Sequence, residues 1–168
     1  MFDHEVYAIA FVASNDSDKV EKYLEFKEVV SLFEKHPQFV DALLFNRELF
    51  NDFREDFEAT LSPVVYNFLD IVIEDGLIDQ IFKIETAIRN HLVELEEYNY
   101  CVIESADKLS VSFDERLTNM ILQKTEGKVE IVKKVNPKLK SGVRMMLNNK
   151  SIDLSMSGRL ERLLSEVS

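Results

Sequence analysis

Cysteine occurs once and glycine only four times in 168 residues, and no apolar run approaches the roughly 20 residues that cross a bilayer. Each shortage excludes something. A lone Cys101 excludes an internal disulfide framework and fits a reducing compartment. Gly76, Gly127, Gly142 and Gly158 stand too far apart to build a phosphate-cradling loop, so neither a Walker-type nor a dinucleotide motif is present. His4, His36 and His91 have no second ligand at metal spacing, which leaves no metal site. A net charge of −11 argues against nucleic acid as the main partner. Acids, not a basic flank, precede the first apolar run, so a signal peptide is not expected. No nucleophile stands beside a plausible base. The residues predict a binding or structural protein with no cofactor, not an enzyme. His91, in Arg89-Asn90-His91-Leu92, is the one residue a phosphorelay reading would use.

What is present is helical periodicity, then a change of pattern. Val6 to Ala13 is an apolar run suited to a first helix. Ser17 is placed to cap a second, bearing Val20, Tyr23, Leu24, Val30 and Phe33. Pro37 suits the first turn of a third, and Asn46 the cap of a fourth with a stripe of Leu49, Phe50, Phe53 and Phe57. Ser62-Pro63 opens a fifth, Val64 to Glu74, which Gly76 stops. The sixth runs from about Leu77 to Glu97, with the off-pattern Glu85 expected at the edge of its apolar stripe.

From Tyr98 the period shortens. Tyr98 to Ile103 reads as a strand, and Ser112 with Glu115 as a capping box opening a helix that Gly127 closes. Lys128 to Val135 is a second strand, so strand, helix and strand form a crossover unit with parallel strands. Val143, Met145 and Leu147 alternate with Arg144, Met146 and Asn148, Asn148-Asn149-Lys150 offers a turn, and Ile152 and Leu154 resume the alternation. After Ser155 the spacing becomes helical again. The expected fold is α+β: an N-terminal all-α six-helix bundle, residues 1–104, then a small α+β domain, residues 105–168, with the first strand, about 98–104, at the boundary.

Charge divides along the same line. Residues 1–105 hold 23 acids and 8 bases, a balance of −15; residues 106–168 hold 8 acids and 12 bases, a balance of +4. Such asymmetry suits two domains that meet different partners. Two helices are also apolar nearly all round: VYAIAFVA from Val6, and VVYNFLDIVI from Val64. A helix apolar on every side needs cover on every side. A six-helix domain has little room to enclose two, so either both are central or some of their surface is left for another chain, with helix-in-groove docking then the expected mode.

The motifs carry a family resemblance. Val135-Asn136-Pro137-Lys138-Leu139, Gly142, Ile152-Asp153, Ser155 and Arg159-Leu160 resemble the C-terminal signature of subunit delta of F-type ATP synthase, the oligomycin-sensitivity-conferring protein family. Tyr7-Ala8-Ile9-Ala10-Phe11 resembles its N-terminal motif, Asn67-Phe68-Leu69 a motif in its fifth helix, and Ser105-Ala106 with Leu109-Ser110 its inter-domain segment. Ser141 replaces the first of two paired glycines and Phe11 a leucine.

The resemblance implies a non-catalytic stator subunit on the peripheral stalk. It would be one copy per complex, peripheral on the cytoplasmic face of a bacterial plasma membrane, without membrane insertion. The resemblance also implies a groove for the N-terminal helix of an alpha subunit, between the first and fifth helices. Val6, Tyr7, Ala10, Phe11, Val65, Phe68, Leu69 and Val72 are its expected lining. The C-terminal domain would meet the end of subunit b. Other readings are a stand-alone helical adaptor or phosphorelay protein, and a stalk paralogue of a modified rotary ATPase.

Overall fold

The computed structural model of the chain describes residues 4–15, 17–139 and 142–153. The chain divides after Leu95 into two units. The first holds seven α-helices among the described residues: α1 His4–Ala13, α2 Lys19–Lys35, α3 Pro37–Phe45, α4 Glu48–Asp52, α5 Arg54–Thr60, α6 Pro63–Glu74 and α7 Ile81–Glu94. A 3-10 turn, Ile78–Gln80, leads into α7.

The mixed α+β character agrees with the sequence, and the differences lie in the details of several elements. The predicted fourth helix is divided at Phe53, which leaves α-helical geometry (φ −103°, ψ 6°) and separates α4 from α5. Phe50 goes into the core and stacks on Tyr66 at 5.8 Å, while Phe53 packs edge-on against Phe39. The predicted sixth helix begins as the 3-10 turn and ends at Glu94.

Two caps also differ. Ser17 is not a cap: α2 follows Asp18. Ser62 has the extended geometry of an N-cap but donates its hydroxyl to Glu25 at 2.8 Å, tying α6 to α2 instead of capping its own helix. Asn46 stands one residue before the Arg47 cap position of α4, and its Oδ1 accepts the Glu48 N–H at 3.1 Å.

Gly76 stops α6 as expected. Its φ of +71° lets its N–H reach Ile73 and the Leu77 N–H reach Val72, the paired bonds of a Schellman motif. A Cβ there would stand 2.7 Å from Nη2 of Arg47, whose guanidinium donates to the Glu74 carbonyl. We expect Gly76→Ala to destabilise the fold by about 1–2 kcal/mol, mainly from the left-handed backbone, as read by urea denaturation.

The first core is aromatic. Phe11, Phe26 and Phe68 form a triad with ring centroids 4.8–5.6 Å apart, joining α1, α2 and α6. Burial of each such side chain contributes about 2–3 kcal/mol. Glu85, expected at an edge, is inside: it is 8% exposed. The Tyr23 hydroxyl donates to it at 2.7 Å, and the Arg89 guanidinium lies 3.8 Å away.

Among the described residues the second unit is a four-stranded sheet of order β2-β1-β3-β4 with one helix: β1 Asn99–Ser105, α8 Val111–Lys124, β2 Val129–Val135, β3 Val143–Leu147 and β4 Lys150–Asp153. β1 and β2 are parallel, as a helical crossover requires, and β3 pairs antiparallel with both β1 and β4. The hairpin turn is Asn148-Asn149, both at positive φ (48° and 64°), which fits the right-handed twist of the strands it joins. The Asn148 side chain accepts from the Tyr100 N–H and donates to Asn99.

The expected capping box does not form: α8 starts at Val111, one residue before Ser112, with Ser110 in the cap position. The core of this unit is Cys101, Ile103, Leu117, Met120, Ile121, Val143 and Met145. Burial pushes the Cys101 thiol up to about 11, so it is an inert packing group. The expected terminal helix after Ser155 lies outside the described residues.

Candidate interaction surfaces

No described helix is long and apolar enough to span a membrane. Among the described residues no group of three or more histidine, cysteine or acidic side chains gathers to hold a metal. His4 is hydrogen-bonded to Gln80 at 2.6 Å and His91 faces Glu94 at 3.9 Å, and both line one pocket between α1 and α7. What remains is apolar surface.

The predicted first and fifth helices are α1 and α6, and they are neighbours. Phe11 meets Phe68 at 4.8 Å, and the Tyr7 hydroxyl donates to Asp75 at 2.6 Å, just beyond the end of α6. That hydrogen bond, with burial and the nearby carboxylate charge adding to it, pushes the Tyr7 phenol above its ordinary value. Large side chains therefore bridge the two helices, and smaller ones line the outer edges.

The eight residues expected along this groove separate into three groups. Val6 (58% exposed) and Ala10 are at the surface, and Tyr7 is half-buried. Phe11 and Phe68 join beneath them as a floor, Phe68 being only 7% exposed. Val65, Leu69 and Val72 are fully buried, so a docking chain cannot touch them. On α6 the exposed residues nearest Phe68 in sequence are Asn67 and Ile71, with Ile71 49% exposed. Ile71 is one turn from both Phe68 and Asp75, which sets it beside the floor. The sequence motif contained Asn67 but nothing that selected Ile71 over Val72, because α6 has apolar residues on both faces.

The C-terminal signature builds a connection. Val135 ends β2 and is 56% exposed. Asn136 begins a turn whose Leu139 N–H returns to its carbonyl at 3.0 Å, with Pro137 at the second position that suits its fixed φ. Its Oδ1 also accepts the Lys138 N–H at 3.1 Å. Its own N–H bonds the Ser105 carbonyl at 2.8 Å, anchoring the turn to β1. Gly142 sits at φ +88°, a conformation that favours glycine, just before β3. Ile152 and Asp153 pair with Met145 and Arg144 in β4. Ser155, Arg159 and Leu160 lie outside the described residues. The signature is thus conformational rather than chemical in the part that is described.

Comparison with known proteins agrees with this architecture. Residues 5–167 match the family described as OSCP, the ATP synthase delta (OSCP) subunit. The chain is 26% identical over 165 residues to the ATP synthase subunit delta of Clostridium kluyveri, covering 94% of this chain and 90% of that one. It is 23% identical over 176 residues to the subunit of the same name in Mesoplasma florum, covering 99% and 94%. Its fold resembles a chain in the mitochondrial ATP synthase hexamer of Toxoplasma gondii, with a TM-score of 0.65 at 17% identity, covering 99% of this chain and 98% of that one. A match that takes in both units, from α1 through the β2–β3 connection and beyond, makes the chain a member of the ATP synthase delta (OSCP) subunit family.

Proposed function

We propose that the chain is a stator component of a rotary F-type ATP synthase, holding the catalytic head against the torque of the turning rotor. The family match over residues 5–167 carries this reading. With α4 and α5 counted as one broken helix, the first unit corresponds to the six-helix domain the family implies. Its α1–α6 groove, with Val6, Ala10 and Ile71 exposed over a Phe11–Phe68 floor, is suited to the apolar face of an alpha-subunit N-terminal helix. The second unit, whose charge balance is positive after residue 105, meets the end of subunit b. The chain needs no active site for this work; it transmits force, peripheral to the membrane on its cytoplasmic side, one copy per complex.

Co-purification tests the reading directly. A tagged chain expressed beside the other synthase subunits should retain the alpha and b subunits through gel filtration. Recovery of the tagged chain alone, with the rest of the complex assembled, would refute it.

The division of labour has its own test. A fragment of residues 96–168 should bind a peptide from the end of subunit b nearly as tightly as the full chain. A fragment of residues 1–95 should fold cooperatively, as followed by circular dichroism, and bind the b peptide at least tenfold more weakly. Equal affinity of the two fragments would mean that the stalk contact is not carried by the second unit.

A further inference from the structure

A second apolar trough, of about 910 Å³, opens on the first unit between α2, α3 and α5. Val29, Phe33, Phe39 and Phe57 are among the residues that line it. It shares none of its lining with the α1–α6 groove. Leu32 on α2 and Phe53 between α4 and α5 also line it, and they are 49% and 39% exposed. The helix on one side, α5, has no buried residue at all. Its aromatic face therefore lacks the cover that the rest of the unit has.

Length and charge say what would cover it. The lining runs from Glu25 on α2 to His36 just past its end, eleven residue steps or about 16 Å, the span of three turns. An amphipathic helix presents its i, i+4, i+7 and i+11 anchors over the same distance. The ionised side chains on the lining are Glu25, Glu28 and Asp56, and no lysine or arginine is among them. Glu25 is engaged by Ser62 and Lys22, but Glu28 and Asp56, on opposite sides of the trough, form no ion pair among the described residues. A guest helix with acids beside its apolar stripe would meet repulsion from both sides, and one with lysines or arginines would not.

We propose that this trough is a second docking surface, for a basic amphipathic helix of a partner chain, separate from the groove between α1 and α6. The test uses the full chain and two synthetic 18-residue helices with the same leucine stripe, one flanked by lysines and one by glutamates. Fluorescence anisotropy should give at least tenfold tighter binding of the lysine peptide at low salt, with the advantage shrinking as salt screens the rim.

Leu32→Asp places a charge on an exposed wall that a bound helix would dry. It should lose tenfold or more in affinity while its thermal melt stays close to that of the parent chain. Glu28→Lys with Asp56→Lys should abolish the preference for the lysine peptide. Ala10→Glu, in the other groove, should leave this binding unchanged, so failure of one docking surface is distinguishable from failure of the other. Equal binding of the two peptides, or full affinity in a folded Leu32→Asp chain, overturns the proposal. So does a dimer of this chain that Leu32→Asp dissociates, because the occupant would then be a second copy.

Discussion

Glu85→Ala is expected to lower the melting temperature of the first unit by about 10–20 °C. The carboxylate is buried, it accepts the Tyr23 hydroxyl at 2.7 Å, and it lies 3.8 Å from the Arg89 guanidinium, whose side chain is 18% exposed. Deleting it takes a hydrogen-bond acceptor from a fully buried tyrosine and removes one carboxylate beside a poorly solvated cation. Breaking a buried pair from one side costs about 3–5 kcal/mol. The low end applies here because the ion pair is long and Arg89 retains some water. At about 4–8 °C per kcal/mol for a unit of this size, even about 2.5–3 kcal/mol produces the stated drop.

Glu85→Gln is the informative companion. The amide keeps an oxygen for Tyr23 and removes only the charge, so the loss should be about 1–1.5 kcal/mol. The order Ala worse than Gln worse than wild type follows from the geometry. An Ala variant within about 0.5 kcal/mol of wild type would mean the network contributes nothing net, a known outcome for some buried ion pairs.

The second large effect separates binding from folding. Ala10→Glu and Phe68→Glu introduce the same carboxylate on facing helices, with opposite expected consequences. Ala10 is exposed on α1, so its glutamate is solvated in the free protein and the melt should move by no more than a few degrees. An alpha-subunit N-terminal helix lying over it would strip that water without supplying a partner. Desolvation of an unpaired charge costs several kcal/mol, and about 1.4 kcal/mol is tenfold in affinity, so titration calorimetry should find binding weakened by at least about a hundredfold.

Phe68 is 7% exposed and sits in a triad with Phe11 and Phe26. Its glutamate loses the ring packing, worth about 3–5 kcal/mol in a phenylalanine truncation, and adds a buried charge. That total approaches the whole stability of a small domain, about 5–15 kcal/mol, and the cooperative melt should be lost or shifted far down. A folded Ala10→Glu chain with normal affinity for the alpha peptide would move the docking site away from α1–α6. A well-folded Phe68→Glu chain would mean that the floor is not part of the core.

Much of this architecture was legible one residue at a time. The Pro37 and Pro63 helix starts, the Gly76 stop, the Asn148-Asn149 turn and the parallel crossover all follow from backbone preferences that act within a few residues. Local sterics and local hydrogen bonds decide such features whatever the rest of the chain does. Three others required the packed structure. The break at Phe53 accompanies packing of Phe50 on Tyr66 and of Phe53 on Phe39, partners distant in sequence. Glu85 is inside because Tyr23, 62 residues away, supplies the hydrogen bond that makes its burial tolerable. On α6, Val65, Leu69 and Val72 went inward and Ile71 outward, although all four are equally apolar. Hydropathy identifies a helix that needs cover on both faces. Which face the protein covers itself, and which it leaves exposed, depends on where α1 and α2 bring Phe11 and Phe26 against Phe68, a tertiary arrangement that no local pattern encodes.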